Sequence, residues 1–346
     1  MHRKAIAYMY RWLVGNLRLR SAISNVSSVS KIHEDRHGET RTFLIWIFVY
    51  VLSSRSCNVI KFIAADIDGT LIDSRHEISA ENCHMIKKAQ QQNIRFAIAT
   101  GRLYDDVKVL LDKYGLECEC ITMNGAEYFN TAGECTAGIY IEKEKARKIF
   151  SMMLQTKKFS IEIYTNKGCY TYSSKFQLFC GMIKRARIYH AKFNMMQIFL
   201  YLCHNPHFHR MQYIKDINTF MDSDIKIAKF VSFGDNAEEM SVFRKQMEKI
   251  DGIAVSASFA TNIEINDAAA TKGAILKRIA KDAGIKSDEV MVIGDGLNDI
   301  TMFEEFPVHS AGMGNAVQEI KAIASFVTND NNNSGVGTAI KKALTI

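Results

Sequence analysis

The sequence contains no apolar run of the length that a membrane-spanning helix needs. The segment FLIWIFVYVL, residues 43–52, is ten residues long and lies between Arg41 and Arg55, whereas a spanning helix takes roughly 18–20 apolar residues. A signal peptide would have its apolar region nearer the start, with a small-residue cleavage site after it, which SSRSC does not provide. Residues 1–60 are therefore an accessory or non-native extension, a membrane anchor or a cleaved targeting segment.

The chain also lacks an excess of one charge outside this extension. The net charge is +7, of which residues 1–60 carry +6 from nine Lys/Arg against three Asp/Glu, so the rest of the chain carries +1. A nucleic-acid-binding protein needs a basic face on its folded part. We therefore expect no nucleic-acid partner, and membrane contact only through residues 1–60.

The eight cysteines show no repeating spacing. Cys118 and Cys120 are too close in sequence for a zinc CxxC pair. The stretch CHNPHFHR, residues 203–210, gathers one cysteine and three histidines, but its spacing is irregular and no second ligand cluster accompanies it. We expect reduced thiols in a cytoplasmic protein and no zinc site.

What the sequence does contain from residue 61 onward is an alternation of strands and helices. The composition, 47% hydrophobic and 23% charged over 346 residues, is that of a globular chain long enough for two domains. Continuously apolar runs predict buried parallel strands at 61–67, 94–100, 120–123 and 290–295. Helical periodicity predicts helices at 79–93, 104–115, 272–284 and 316–324. This order predicts an α/β fold with a doubly wound, Rossmann-like parallel sheet.

About 170 residues separate the third and fourth predicted strands, far more than one crossover needs. Within them, alternating or β-branched segments predict strands at 160–165, 169–173, 226–234 and 252–258, with helices near 143–157 and 236–249. The sequence therefore predicts an inserted α+β cap domain over residues 127–263. The core would comprise residues 61–126 and 264–346.

Two acids end the first predicted strand, in the segment AADIDGTLID. Asp66 and Asp68 are two residues apart, so their side chains project to the same side, and ligands bind at the carboxyl ends of strands in open α/β sheets. Such a pair can divide labour, with one carboxyl ionised and the other protonated. An Asp-x-Asp-Gly turn cap is the structural alternative.

Three further segments place polar residues at strand ends or helix starts. ATGR brings Thr100, Gly101 and Arg102 to the end of the next strand, TKG puts Lys272 at the start of a helix, and GDGLND ends another strand with Asp295, Asn298 and Asp299. Together with DIDGTL, this ordered set resembles the haloacid dehalogenase superfamily. The large insertion resembles its Cof-like phosphatase branch. The resemblance covers residues 61–346.

The resemblance implies a Mg²⁺-dependent phosphatase. Asp66 would attack phosphorus and form an aspartyl-phosphate. Asp68 would protonate the leaving oxygen and later take a proton from water. Mg²⁺ would be held by Asp66, the backbone carbonyl of Asp68 and Asp295, with Asp299 at the same metal site.

The remaining motif residues are expected to bind the phosphate or support it. Thr100 and Lys272 would hold the phosphoryl oxygens, and Gly69 and Gly101 would let the backbone approach them. Asn298 and Asp299 would orient Lys272, metal-bound waters or Asp295, and Thr70 would support by hydrogen bonding. Asn124 is either a substrate contact or a turn residue before Gly125, and Arg102 is either a substrate contact or a local ion-pair partner.

The substrate expected from this resemblance is a small phosphomonoester, either a sugar phosphate or a phosphorylated cofactor. A sugar phosphomutase would use the same aspartyl-phosphate, and a non-catalytic phosphate-binding module would show decay in one or more of the motifs. All four motifs are intact. The sequence does not indicate the oligomeric state.

Overall fold

The computed structural model describes residues 60–156, 160–189, 194, 196–198, 200, 209–257 and 260–345. The predicted extension up to residue 59 and most of CHNPHFHR lie outside these residues. Within the described part, no helix combines the length and the apolar character that crossing a bilayer requires.

The described elements begin at Phe62. The strands in chain order are β1 Phe62–Ala65, β2 Arg95–Ala99, β3 Glu119–Thr122, β4 Glu127–Phe129, β5 Cys135–Gly138, β6 Ser160–Thr165, β7 Gly168–Thr171, β8 Gln212–Tyr213, β9 Ile227–Phe233, β10 Ile253–Ser256, β11 Asn262–Asp267, β12 Val290–Gly294, β13 His309–Gly312 and β14 Phe326–Val327. The α-helices are α1 Ala80–Gln91, α2 Tyr104–Tyr114, α3 Lys143–Gln155, α4 Lys175–Tyr189, α5 Ile217–Asp222, α6 Ala237–Met247, α7 Lys272–Asp282, α8 Ile300–Glu305, α9 Gln318–Ile323 and α10 Gly335–Ala343. Every core strand and helix predicted from the sequence is present, with ends within two residues of those expected.

One sheet contains, among the described residues, eight strands in the order β14-β13-β12-β1-β2-β3-β4-β5. The strands from β14 to β3 are parallel, and β4 and β5 continue the sheet in antiparallel orientation. Strands β1 and β12 are buried along their whole length, because helices α1, α2, α7 and α10 contribute apolar side chains to the same core. The predicted α/β fold with a parallel-dominated sheet is confirmed.

Strand β1 is the point in this sheet from which the strand order runs outward in two opposite directions. From β1 the chain continues outward to β2 and β3, whereas β12 on the other side of β1 leads outward to β13 and β14. Loops that leave adjacent strands in opposite directions open a crevice at their carboxyl ends, which is where doubly wound sheets bind ligands. Asp66 follows β1 and Asp295 follows β12 at this edge.

A second sheet has the order β10-β11-β9-β6-β7-β8 among the described residues, and its pairs are antiparallel except β7 with β8. One face of its central strands packs on α3 and α6 through a separate apolar cluster. This sheet is formed largely by residues of the predicted insertion, which together with α3 and α6 gives this part of the chain its mixed α and β character.

Sheet membership departs from the predicted domain limits at both ends. Residues 127–138 form β4 and β5 of the first sheet, and β11 extends past residue 264 in the second sheet. Strand β5 is short and mostly exposed, so it carries little apolar pattern from which to assign it to the core. The strands of the second sheet lie between Ser160 and Asp267. The division of the chain into core and cap stays a prediction.

Candidate active site

A fully buried lysine joins two of the predicted acids. Lys272 begins helix α7, whose N-terminus is capped by the Thr271 side chain accepting a hydrogen bond from the Ala274 amide. Its Nζ donates to Oδ1 of Asp66 and to Oδ1 of Asp299, at 2.7 Å in each case. Burial favours the neutral amine, but the two carboxylates outweigh it and hold the pKa of Lys272 above its ordinary value. The lysine is therefore a fixed cation between two acids.

Asp299 also shapes the loop that follows β12. Its Oδ2 accepts from the backbone amides of Asp295 and Gly296, at 2.9 and 3.0 Å. Since Oδ1 accepts from Lys272, both oxygens of Asp299 are used by donors of the chain. These bonds favour the orienting role that the sequence suggested for Asp299 over direct contact with a metal ion.

Asp295 is positioned by a threonine and by the lack of a side chain opposite it. Thr70 Oγ1 donates to Oδ1 of Asp295 at 2.7 Å, as expected of a supporting residue. Gly69 has a φ of +79°, and a Cβ on it would lie 2.2 Å from Oδ2 of Asp295. Burial raises the pKa of Asp295 to about 6. The hydrogen bond from Thr70 acts in the opposite direction and lowers this pKa, whereas the negative charge of Asp299 raises it further.

Asp66 is buried at the end of β1, where its backbone amide donates to Ile293 of β12 at 3.0 Å. Burial raises the pKa of its carboxyl well above the ordinary value, and Lys272 only partly offsets this effect. The other three acids, Asp299, Asp68 and Asp295, raise the pKa further. The site thus carries more negative charge than its lysine compensates.

The carboxylates fit a divalent metal ion. One oxygen from each of Asp66, Asp295 and Asp299 lies within 4.8 Å of the others, and oxygen ligands are those that Mg²⁺ and Ca²⁺ prefer. The hydrogen bond from Thr70 uses Oδ1 of Asp295, which leaves its Oδ2 to contact a cation. Oδ1 of Asp66 accepts one hydrogen bond, from Lys272, and keeps a second lone pair for the same cation. A cation there would favour the ionised form of both carboxyls, against the burial and the neighbouring acids that raise their pKa values.

Asp68 is held apart from this cluster by an arginine. Arg102 donates from Nε to Oδ2 of Asp68 at 2.9 Å and from Nη2 to Oδ1 at 2.5 Å. The Asp68 side chain is about half exposed, at 54%, unlike the buried Asp66 and Asp299. Its backbone carbonyl stays a predicted metal ligand. For Arg102, the ion-pair alternative describes the contact in this structure.

The residues after β2 and β3 complete the rim of the site. Thr100 is buried, and its Oγ1 accepts from the Arg102 amide at 3.2 Å while its carbonyl accepts from the Asn124 amide at 2.9 Å. Gly101 leaves room for Asn124, because a Cβ on it would lie 2.9 Å from Oδ1 of Asn124. Asn124 has a φ of +61°, in agreement with the turn alternative. Its side chain also reaches the second sheet, and the substrate contact stays a prediction.

Asn298 is on the same loop as Asp295, but its side chain is exposed, and its role stays a prediction.

Two residues near the site that sequence reasoning missed come from the second sheet. Lys229 donates to the Gly101 carbonyl and forms an ion pair with Glu264, which accepts a hydrogen bond from Asn124. Their signal was available, because each is a charged residue inside an otherwise buried strand.

Comparison with known proteins agrees with this geometry. Residues 63–340 match the sequence model of haloacid dehalogenase-like hydrolases. The phosphatase YwpJ of Bacillus subtilis is 29% identical over 82% of this chain and all of its own length. The 5-amino-6-(5-phospho-D-ribitylamino)uracil phosphatase YwtE of the same organism is 29% identical over 82% of this chain and 98% of its own. A solved haloacid dehalogenase-like hydrolase from B. subtilis superimposes with a TM-score of 0.70 at 29% identity, covering 81% of this chain and 99% of that one.

Proposed function

The chain belongs to the haloacid dehalogenase-like hydrolase family and is a phosphatase of that family, and from this premise we propose that it hydrolyses small phosphomonoesters with Mg²⁺ through an aspartyl-phosphate on Asp66. The observation that carries the proposal is the cluster at the carboxyl ends of β1 and β12, in which the buried Lys272 of α7 joins the buried Asp66 and Asp299 next to the half-buried Asp295. Buried carboxylates are costly unless a cation, a metal ion or hydrogen bonds compensate them.

Asp66 is the nucleophile of this proposal. Oδ1 is fixed by Lys272 at 2.7 Å, so Oδ2 is the oxygen that attacks phosphorus. The new bond joins Oδ2 to phosphorus, and the bond from phosphorus to the leaving oxygen breaks. Lys272 favours the ionised form of the attacking carboxyl and partly offsets the rise in its pKa that burial causes. Mg²⁺, when bound, neutralises the repulsion between this carboxylate and a phosphate dianion.

Lys272 and Thr100 have donors left to bind the phosphoryl oxygens. A lysine ammonium has three N–H donors, and two of them point at Asp66 and Asp299. The third is available to a phosphoryl oxygen. The Thr100 hydroxyl accepts from the Arg102 amide, which leaves its own hydrogen to donate to the same group. Charge that develops on the phosphoryl group is stabilised by such fixed donors.

Asp68 is the proton carrier in the proposed mechanism. It gives its proton to the leaving oxygen in the first step and takes one from water in the second, when water attacks phosphorus and frees Asp66. Both oxygens of Asp68 accept from Arg102 in this structure. The ion pair must therefore open before the acid acts, and a substrate phosphate is a suitable new partner for the arginine.

The proposed substrates are small phosphomonoesters such as sugar phosphates or phosphorylated cofactors, and a cytoplasmic location is proposed with them. The relative YwtE is named for a substrate with a phosphorylated ribityl chain, which makes ribityl phosphates a first choice in a screen. The chain's own phosphate-binding groups, Lys272 and Thr100, do not distinguish among these esters, because they contact only the phosphoryl group.

A screen of phosphomonoesters tests the proposal. The full chain is assayed for phosphate release from p-nitrophenyl phosphate, sugar phosphates and ribityl phosphates, with Mg²⁺ and with a chelator. We expect turnover of several esters that the chelator abolishes and added Mg²⁺ restores. Absence of metal-stimulated turnover across the whole set would favour a non-catalytic phosphate-binding protein.

A further inference from the structure

A small cavity lies beside the segment that connects the two sheets, residues 139–142 between β5 and α3. Its volume is about 160 Å³. Apolar cavities of about 150 Å³ bind a molecule of the size of benzene, so this cavity has room for one aromatic ring. Six apolar or aromatic residues line it, namely Tyr140, Ile141, Phe220, Met221, Ile225 and Ile227.

The inner wall of the cavity belongs to the apolar core next to the second sheet. Ile141, Met221 and Ile227 are buried and are members of the cluster that packs on α3 and α6. The Ile141 amide donates to the Ile227 carbonyl at 2.8 Å, so the connecting segment is joined to β9 along this wall. Protein interiors leave few voids larger than a water molecule, and small ligands bind in preformed concave sites with mainly apolar linings. The cavity has the size and the lining of such a site.

The mouth of the cavity carries two lysines. Lys143, Lys226 and Glu142 also line the cavity and are exposed. Lys226 Nζ lies over the ring of Tyr140, 5.5 Å from its centroid. Lys143 Nζ donates to the Ser223 carbonyl, which leaves donors of its ammonium group for a further acceptor.

The acids near this mouth are balanced by other cations. Each of three carboxylates forms an ion pair elsewhere: Glu142 with Lys145, Asp222 with Arg147 and Asp224 with Lys167. None of these three pairs uses Lys143 or Lys226. The mouth therefore presents an excess of positive charge to a ligand that enters the cavity.

We propose that this cavity binds a small aromatic monocarboxylate, with the ring inside and the carboxylate at Lys226 and Lys143. The volume limits the apolar part to about one ring, and the side chains of Tyr140 and Phe220 offer it aromatic neighbours. The two lysines select an anionic head group over a neutral one. This inference goes beyond the proposed function, because none of the lining residues belongs to the cluster around Asp66.

A bound ligand should stabilise the connection between the two sheets. Tyr140 joins them, since its hydroxyl donates to Oε1 of Glu127 in β4 at 2.9 Å while its ring lies beneath Lys226, the residue before β9. A ligand that touches Tyr140, Ile141 and Ile227 holds these segments in the arrangement that it binds. Opening of the hydrogen bond between Ile141 and Ile227 should then require the ligand to leave.

Calorimetry with benzoate, benzyl alcohol and inorganic phosphate as probes tests the site. The full chain is used in chelator, because the metal-free acids around Asp66 repel anions. We expect saturable binding of one benzoate with a Kd of about 1 mM, in the range open to so small a ligand. Benzyl alcohol should bind about tenfold more weakly, since it lacks the charge. Inorganic phosphate should not compete with benzoate, because it has no apolar part.

Two variants locate the bound probe. Ile225→Phe fills the cavity and should weaken benzoate by about tenfold or more. Lys226→Met should reduce the affinity for benzoate to that for benzyl alcohol. Val242→Phe is the control for added size, because Val242 is exposed on α6. Lys175→Met is the control for the lysine, because Lys175 lies over the ring of Tyr213 at 5.6 Å in a similar contact. Both controls should leave benzoate binding unchanged.

Hydrogen exchange of the Ile141 amide gives a second measurement in the unsubstituted chain, which keeps the test valid if Ile225→Phe does not fold. At about ten times its Kd, benzoate should slow this exchange about tenfold. Absence of saturable benzoate binding, equal affinities for benzoate and benzyl alcohol, or unchanged exchange at Ile141 would overturn the inference. None of these measurements involves turnover, so their outcome is independent of the proposed phosphatase reaction.

Discussion

Gly69 and Asp295 are packed so closely that a methyl group on Gly69 does not fit, since a Cβ there would lie 2.2 Å from Oδ2 of Asp295. The glycine follows β1 and the aspartate follows β12, so two segments more than 200 residues apart in sequence meet at this contact. The φ of +79° at Gly69 adds a backbone requirement at the same position.

Substitution of Gly69 by alanine should therefore impair metal binding in addition to stability. Gly69→Ala is expected to move Asp295 and to weaken Mg²⁺ activation by about 10-fold or more, as changes next to metal ligands do. Gly284→Ala is the control, because Gly284 has a φ of +68° with nothing within 4 Å of its Cβ position. Both should lose roughly 1–2 kcal/mol of unfolding free energy from the left-handed backbone. Equal Mg²⁺ activation of the two variants would contradict the role given to Gly69.

Lys272 is predicted to be the side chain whose loss costs the most stability in the site. Lys272→Met leaves Asp66 and Asp299 buried without their cation, and breaking a buried pair from one side costs about 3–5 kcal/mol. Urea unfolding at neutral pH in chelator measures this loss. Lys277→Met is the control, since Lys277 pairs with Glu305 on the surface and such pairs contribute about 0–1 kcal/mol. A loss no larger than the control's would mean that the buried acids tolerate each other without the lysine.

The stabilisation by Mg²⁺ should fall as the pH is lowered through about 6, the pKa of Asp295 raised by burial. The metal needs the ionised carboxylate, so protons compete with it below that pH. Because the folded pKa is above the unfolded one, the metal-free protein gains stability from Asp295 as the pH falls through the same range. The Mg²⁺-induced rise in Tm should thus be larger at about pH 7.5 than at about pH 5.

Asp295→Asn is the control for this experiment and should show little Mg²⁺-induced rise in Tm at either pH. An equal rise for the unsubstituted chain at both pH values would contradict the assignment of Asp295 as a metal ligand.

Asp68→Asn should slow the first step in proportion to how much the leaving group needs a proton. Loss of the proton carrier is expected to cost about 10²–10⁴-fold on an alkyl phosphate. The cost should be smaller on p-nitrophenyl phosphate, whose leaving group departs without a proton. Single-turnover release of the leaving group is the measurement, because the second step is slow for both substrates. Equal slowing of both would make Asp68 a structural cap of its loop.

The fold and the site differ in how far the sequence reveals them. Buried strands such as β1 and β12 are continuously apolar and are followed by polar residues at the carboxyl end. The local pattern therefore predicts the positions of these strands and also identifies Asp66 and Asp295. Strands β4 and β5 are short, and β5 is mostly exposed, so their place in the first sheet depends on pairing that no local pattern encodes.

Contacts between distant segments were likewise beyond local reasoning. The bidentate pair of Arg102 with Asp68 joins residues 34 apart, and Lys229 reaches a carbonyl 128 residues away. A charged residue within a buried strand indicates that it has a partner, but only the arrangement of the two sheets identifies that partner as the rim of the active site.

Trapping of a phosphoenzyme tests whether Asp66 is the nucleophile. The chain is mixed with a substrate carrying a radiolabelled phosphoryl group in the presence of Mg²⁺, quenched in acid within the first turnover, and digested to locate the label. We expect label on the peptide that contains Asp66, in the unsubstituted chain and in Asp68→Asn, and none in Asp66→Asn. Phosphate release without any labelled peptide, or label that persists in Asp66→Asn, would contradict it.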